Sequence, residues 1–131
     1  MRSTQLKIDS PIIIVRRPDA MMEQGLGFVI RNEVGQMIGV AAGYSWPDIS
    51  ELKQMWIDEA YRGRGYARAL INAFVEEACS RGVRRIWVAS YDFQAPGMYE
   101  KAGFRRGAEF KGWPEGHTNV VLCKTLPGQQ K

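Results

Sequence analysis

The chain has 131 residues and a formal net charge of +4. This length predicts one domain over residues 1–131 with a single hydrophobic core, and a composition of 45% hydrophobic and 24% charged residues excludes a disordered chain. No apolar run approaches the roughly 20 residues of a membrane-spanning helix, and the first residues lack the pattern of a secretory signal, so we expect a cytoplasmic protein.

The first half of the chain is predicted to form strands. Residues 1–11 are expected to be frayed, and Ser10-Pro11 marks the entry into the first strand. Later strands are apolar and β-branched runs, two of which form a hairpin, and residues 46–48 form a turn. The predicted strands are residues 12–17, 26–31, 36–44 and 52–57.

A long helix opens the second half. Apolar residues recur every three or four positions from Ala67 to Ala78, which is one face of an amphipathic helix, and Gly82 lies where this helix should end. A short helix is predicted at residues 94–103. The strands of this half are residues 84–90, 104–110 and 117–126.

The long helix connects the strand at residues 52–57 to the strand at residues 84–90. A strand, helix and strand in this order form a crossover, so we expect these two strands to be parallel. Strands with two inserted helices predict a mixed α/β or α+β fold in which helices pack on one sheet.

The most informative motif lies between the strand at residues 52–57 and the long helix. Two glycines allow a tight turn whose N–H groups approach a ligand, and the helix adds its unpaired N–H groups and the positive end of its dipole. In this setting the motif predicts a phosphate cradle, although the same residues in isolation would favour an ordinary turn. It lacks the third glycine of a dinucleotide fingerprint and the Gly-Lys-Ser/Thr of a P-loop. Its residues are Arg62, Gly63, Arg64, Gly65, Tyr66 and Ala67.

This motif resembles the Arg/Gln-x-x-Gly-x-Gly/Ala signature of the GNAT family of N-acetyltransferases. Residues 95–104 resemble a later motif of that family, a short helix that carries a tyrosine and ends at a Gly-Phe pair. The resemblance covers roughly residues 26–126. It implies a mixed, mostly antiparallel sheet with one splayed parallel pair of strands and flanking helices, and it implies acetyl-CoA as the cofactor.

The resemblance also implies where acetyl-CoA binds. The six motif residues would hold its pyrophosphate, and main-chain groups of Met55, Trp56 and Ile57 would contact its pantetheine arm. Asp92 stands where the family often has asparagine, and it is expected either to hold the same arm or to cap a helix.

Acetyl transfer to an amine needs a donor for the developing oxyanion and an acid for the departing thiolate. Tyr99 matches the family's tyrosine near the sulfur, and a phenol with a pKa of about 10 is protonated at neutral pH. The oxyanion donor would be a main-chain N–H of Trp56 or Ile57.

A base is also needed, because a lysine-like amine is only about 0.04% neutral at pH 7. Glu51, at the start of the same strand, is a candidate directly or through water, and a solvated strand end is its alternative interpretation. His117 is of the residue type that titrates near neutral pH, but a structural or acceptor-binding role fits it equally.

The preferred function is an acetyl-CoA-dependent N-acetyltransferase that acts on a primary amine of a small molecule or peptide by direct transfer in a ternary complex. A non-catalytic acyl-CoA-binding or sensing protein and a basic nucleic-acid-binding module are the alternatives, and the scattered arginines disfavour the second. The segment at residues 17–26 is too short for the helices that the family usually has there, so we expect an abbreviated acceptor wall and a homodimer. No metal site or membrane partner is expected.

Overall fold

The computed structural model describes residues 5–9, 12–16, 25–94 and 96–127. Among these residues no helix has the length and apolar character that crossing a membrane requires. The helices are α1 (Tyr66–Ser80) and α2 (Pro96–Lys101), with 3₁₀ turns at Glu59–Tyr61 and Asp92–Gln94. The strands are β1 (Gln5–Asp9), β2 (Ile12–Arg16), β3 (Gly25–Arg31), β4 (Met37–Ser45), β5 (Ile49–Ile57), β6 (Arg85–Tyr91), β7 (Arg105–Lys111) and β8 (Thr118–Thr125).

The strands form one sheet in the order β1-β2-β3-β4-β5-β6-β8-β7. Neighbouring strands are antiparallel except β5 and β6, which are parallel and are connected by α1. The predicted mixed fold and the predicted crossover are confirmed, and β5 begins three residues earlier than expected. The connection expected at residues 17–26 lies mostly outside the described residues.

The prediction of a frayed start is wrong for residues 5–9. These residues form β1, which pairs with β2 through partners such as Leu6 and Ile14. The alternation of Leu6 and Ile8 with polar neighbours is the period-two pattern of a strand, and β2 supplies partners for its main-chain N–H and C=O groups.

Helix α1 packs on β3, β4 and β5. Its side chains Leu70 and Phe74 are fully buried, and each such burial contributes roughly 2 kcal/mol to stability. The helix approaches the sheet closely because β4 carries Gly39 at the contact. A Cβ there would lie 3.3 Å from Cδ1 of Leu70 and 2.9 Å from Cδ1 of Ile57.

Helix α2 covers the other half of the same sheet face. Its Tyr99 belongs to the same buried cluster as Val120 and Leu122 of β8. Lys124 of β8 donates a hydrogen bond from Nζ to the carbonyl oxygen of Ala102 (3.1 Å), which satisfies a carbonyl group at the end of α2. Both helices therefore lie on one face.

Candidate active site

The parallel strands β5 and β6 pair over only three positions. The pairs run from Ile49 with Arg85 to Glu51 with Trp87. Beyond Glu51, β5 continues alongside β4 and β6 continues alongside β8, so a fork opens between β5 and β6. Main-chain groups that face the fork have no strand partner across it and are available to a ligand. The splayed parallel pair that the family resemblance implied is confirmed.

A β-bulge lies just past the last parallel pair. On β4 and β5, Gly43 pairs with Leu52 and Ala42 pairs with Gln54, which leaves Lys53 as the extra residue. The extra residue of a bulge drops out of the ladder and bends its strand. The bend therefore coincides with the point where β5 leaves β6.

The bulge also shifts the side-chain alternation of β5. Leu52 faces the helix-covered core before the bulge, and Met55 and Ile57 face it after the bulge. Leu52 and Met55 are three residues apart, whereas successive core-facing residues of a regular strand are two residues apart. The facing residue on β4 has to be a glycine, because a Cβ on Gly43 would collide with the carbonyl oxygen of Glu51.

A cleft of about 270 Å³ lies in the fork. Of the predicted site residues, Met55 and Tyr99 line the cleft, and Glu51 lies at the apex of the fork. Trp56 and Ile57 do not line it, but they continue β5 from the cleft toward the glycine motif. The lining residues are Leu52, Lys53, Gln54, Met55, Val88, Ala89, Ser90, Gln94, Met98 and Tyr99.

Tyr99 is a buried acid in this cleft. Only 5% of the residue is exposed, and desolvation by burial raises the pKa of Tyr99 from 10.0 to about 12. Its hydroxyl makes no hydrogen bond to any other described residue, so the phenol proton is available to a ligand. The predicted donor role is therefore chemically possible at every physiological pH.

The glycine turn leads into α1 with a conformation that suits an anion. Gly63 and Gly65 have φ angles of 78° and 86°, in the left-handed region that favours glycine. A Cβ on either residue would meet no atom within 4 Å, so both stand open. Gly65 is the N-cap of α1 and supplies no side-chain cap, and the first turn has no acidic residue. The first N–H groups and the positive dipole end of α1 are therefore unopposed.

The two arginines of the motif support the turn. Arg62 donates a hydrogen bond from Nε to the carbonyl oxygen of Ile57 (3.0 Å), which ties the motif to the end of β5. The guanidinium carbon of Arg64 lies 5.3 Å from the ring centroid of Tyr61, within the range of a cation–π contact. Both arginines are exposed and add positive charge around the turn.

Asp92 connects the end of β6 to the start of β8. Its Oδ1 lies 3.1 Å from Nδ1 of His117, and its Oδ2 accepts a hydrogen bond from the N–H of Thr118 (3.0 Å). The ring of Phe93 packs edge-to-face with the imidazole, with 4.7 Å between the centroids. His117 is thus held by Asp92, which lies just beyond the cleft residue Ser90. His117 therefore does not lie at the apex of the fork beside Glu51.

Several cleft residues were not found from the sequence. Lys53 and Gln54 line the cleft at the position of the bulge. In the sequence, this bulge is indicated by the three-residue spacing between the apolar residues Leu52 and Met55. Ser90 and Gln94 border the segment that contains Asp92, but nothing in their local pattern marks them as cleft residues.

The chain matches the acetyltransferase (GNAT) family over residues 6–104. It is 32% identical over 100 residues to the blasticidin-S acetyltransferase of Streptomyces morookaense, an alignment that covers 72% of this chain and 71% of that protein. Two other curated relatives are longer, and the chain spans 42% and 37% of their lengths.

Solved structures share this fold. An acetyltransferase from Bacillus cereus ATCC 14579 superposes with a TM-score of 0.77 and 28% identity, over 84% of this chain and 79% of that one. A GNAT family acetyltransferase from Elizabethkingia anophelis, solved with acetyl-CoA bound, has a TM-score of 0.74 and 15% identity, over 90% of this chain and 100% of that one. With the fork, the glycine turn and the buried tyrosine in place, the chain belongs to the GNAT family of acetyltransferases.

Proposed function

We propose that the chain moves an acetyl group from acetyl-CoA to a primary amine of a small molecule or peptide, by direct transfer in a ternary complex. Family membership establishes the general class, an acetyl-CoA-dependent N-acetyltransferase. The observation that carries the specific proposal is the cleft in the fork, which has a buried tyrosine in its wall and is connected through β5 to the glycine turn.

The glycine turn fits the pyrophosphate of acetyl-CoA. The proposal assigns that group to the open turn and the first N–H groups of α1, where side chains at Gly63 and Gly65 would fill the space a ligand needs. Main-chain groups of residues 55–57 would run along the pantetheine arm, since this stretch leads from the cleft to the turn. Asp92 is proposed to act through the β8 contacts that hold the wall near Ser90. The turn is made up of Arg62, Gly63, Arg64, Gly65, Tyr66 and Ala67.

Acetyl-CoA supplies the thioester. Transfer forms a carbon–nitrogen bond and breaks the carbon–sulfur bond, while the amine loses one proton and the departing sulfur gains one. We assign the proton for sulfur to the Tyr99 hydroxyl and the proton from the amine to Glu51, directly or through water. The oxyanion donor is proposed among the main-chain N–H groups of residues 53–55, because these line the cleft whereas Trp56 and Ile57 do not.

The cleft supports direct transfer because residues of both sheet faces line it. Leu52 and Met55 belong to the helix-covered face, while Gln54 pairs with Ala42 on the opposite face. Donor and acceptor can therefore reach the fork from opposite sides at the same time. Initial rates at varied acetyl-CoA and amine concentrations test this: intersecting double-reciprocal lines are expected, and parallel lines would instead indicate an acetyl-enzyme.

The whole proposal is tested by an amine library with released CoA as the readout, together with the shift in Tm that CoA and acetyl-CoA cause. A rise in Tm with turnover of at least one amine is expected. Binding without turnover of any amine would favour an acyl-CoA-binding protein, and no rise at millimolar acetyl-CoA would count against both functions.

The remaining parts of the proposal concern the whole protein. We place it in the cytoplasm as one domain over residues 1–131, and we propose a homodimer. Support for the dimer is β7, an edge strand whose seven residues are all exposed. Sedimentation at micromolar concentration tests it, and a monomer there would remove the dimer from the proposal.

A further inference from the structure

The face of the sheet opposite α1 and α2 carries exposed aromatic side chains near the fork. Gly43 pairs with Leu52, a core residue beneath the helices, so the next pair, Tyr44 with Glu51, points to the opposite face. By the same alternation Trp56, which precedes the core residue Ile57, also belongs to that face. Neither α1 nor α2 covers it. Exposed aromatic side chains that lie in contact with one another are a feature of binding surfaces.

Tyr44 contacts a second exposed aromatic residue, Trp46, which directly follows β4. The ring centroids of Tyr44 and Trp46 lie 6.3 Å apart with 45° between the ring planes, and the residues are 39% and 44% exposed. Aromatic faces carry negative charge density, and a cation within about 6 Å of them is attracted. The pair can therefore hold a positively charged group.

A carboxylate lies directly beside this pair. Glu51 is the cross-strand partner of Tyr44, and side chains in that relationship have Cβ atoms about 5 Å apart. No lysine or arginine among the described residues forms an ion pair with Glu51. It is also the last residue of β5 that pairs with β6, which puts it at the apex of the fork. The aromatic pair and the proposed base therefore lie side by side at the apex of the fork.

We infer that the acceptors are small diamines, in which a second cationic group lies a few bonds from the amine that reacts. The reacting amine approaches the fork beside Glu51, and the second ammonium rests on Tyr44 and Trp46. A carboxylate in the same place would be repelled by Glu51 and by the aromatic faces. This inference rests on the proposed function, because it names the acceptor of the same site.

The test compares kcat/KM for four amines of one chain length, with CoA release as the readout. They are 1,4-diaminobutane, butylamine, 4-phenylbutylamine and 4-aminobutanoate. After correction for its two equivalent amines, the diamine is expected to exceed butylamine about tenfold, the factor that a partly desolvated cation–π contact supplies. The amino acid is expected to be the poorest substrate. Equal values for the diamine and butylamine, or a preference for the phenyl compound, would overturn the inference.

Variants test whether Tyr44 and Trp46 cause the preference for the diamine. Tyr44→Ala and Trp46→Ala should each remove the preference for the diamine. Trp113→Ala truncates another exposed aromatic residue, in the turn between β7 and β8, and should keep the preference. The rise in Tm with acetyl-CoA, measured on every variant, reports an intact fold and donor site. If the wild-type protein shows no rise, the proposed function itself fails, whereas a rise without turnover of the diamine overturns only the acceptor inference.

Discussion

The ring of Tyr99 stands edge-to-face against Phe104, with 5.7 Å between the centroids and 68° between the planes. Both side chains are almost fully buried, and the N–H of Phe104 donates to the carbonyl oxygen of Tyr99 (3.0 Å). The ring and the main chain therefore fix the position of Tyr99, while its hydroxyl makes no hydrogen bond to another described residue. The packing of Tyr99 therefore depends on its ring, and its proposed role as a proton donor depends on its hydroxyl group.

Replacing Tyr99 with Phe should consequently affect the reaction and spare the fold. We expect kcat to fall by roughly 10²-fold, the contribution of a positioned acid, while the Kd for acetyl-CoA and the Tm at pH 7 change little. Rates of CoA release and isothermal titration with acetyl-CoA measure the two effects. Wild-type turnover in this variant would remove Tyr99 from the reaction.

The raised pKa of Tyr99 predicts a loss of stability at alkaline pH. Tyrosine in the unfolded chain loses its proton near pH 10, whereas the pKa of Tyr99 in the folded protein is about 12. Above pH 10 the unfolded state binds fewer protons than the folded state, so the free energy of unfolding falls as pH rises from 10 to 12. The loss from this group should reach roughly 2 to 3 kcal/mol. Urea unfolding of the wild type and of Tyr99→Phe isolates it, and parallel pH curves would contradict the prediction.

Glu51 and His117 can be distinguished as bases by their positions. Glu51→Gln keeps the shape of the side chain but removes the carboxylate from the fork, so kcat at pH 7 should fall by roughly 10² to 10⁴. The deficit should shrink at high pH, where more of the acceptor amine is neutral without help. His117→Gln should have a smaller effect, because its imidazole is held by Asp92 away from the apex. A larger loss in the histidine variant would exchange the two assignments.

The two ends of α1 offer a matched pair of glycines. Gly65 precedes the helix and Gly82 follows it, with φ angles of 86° and 84°, and a Cβ on either residue would meet no atom within 4 Å. Alanine at either site should cost roughly 1 to 2 kcal/mol of backbone strain. Only Gly65→Ala should weaken acetyl-CoA binding, because its methyl group would enter the pyrophosphate site. Equal affinities in titrations of the two variants would exclude the glycine turn as that site.

Local pattern was sufficient to predict both α-helices and every described strand except β1, and to predict part of the site. The spacing of apolar residues from Ala67 to Ala78 defined α1, and the glycine turn identified the end that suits an anion. Contacts between distant segments could not be predicted in this way. Asp92 meets His117 across 25 residues of sequence, and no local pattern links them.

The remaining features of the site depend on the register between β4 and β5. The turn between β4 and β5 sets the register in which Tyr44 lies opposite Glu51, and the bulge at Lys53 shifts the pairing by one residue from Ala42 and Gln54 onward. A strand without the bulge would exchange its two faces beyond that point. The sequence contains a trace of the bulge in the spacing from Leu52 to Met55, but Trp56 extends the apolar run and hides the break.

Substitution of Gly43 tests whether the site depends on the bulge between β4 and β5. A Cβ on Gly43 would collide with the carbonyl oxygen of Glu51, which is a main-chain atom and cannot rotate away. Overpacking of a core typically costs 1 to 3 kcal/mol, so Gly43→Ala should lose roughly 3 kcal/mol or more of unfolding free energy. The bulge should also shift, and the chain should lose turnover under conditions where it is still folded.

Gly97→Ala is the control for this variant. Gly97 lies in α2 with open space around it and an ordinary φ angle, so alanine there should be neutral or should stabilise the helix by up to about 1 kcal/mol. Urea unfolding at pH 7 compares both variants with the wild type. If Gly43→Ala proved as stable as Gly97→Ala, β4 and β5 would have to accommodate a side chain at the bulge. The close main-chain approach would then not be what holds Glu51 at the fork.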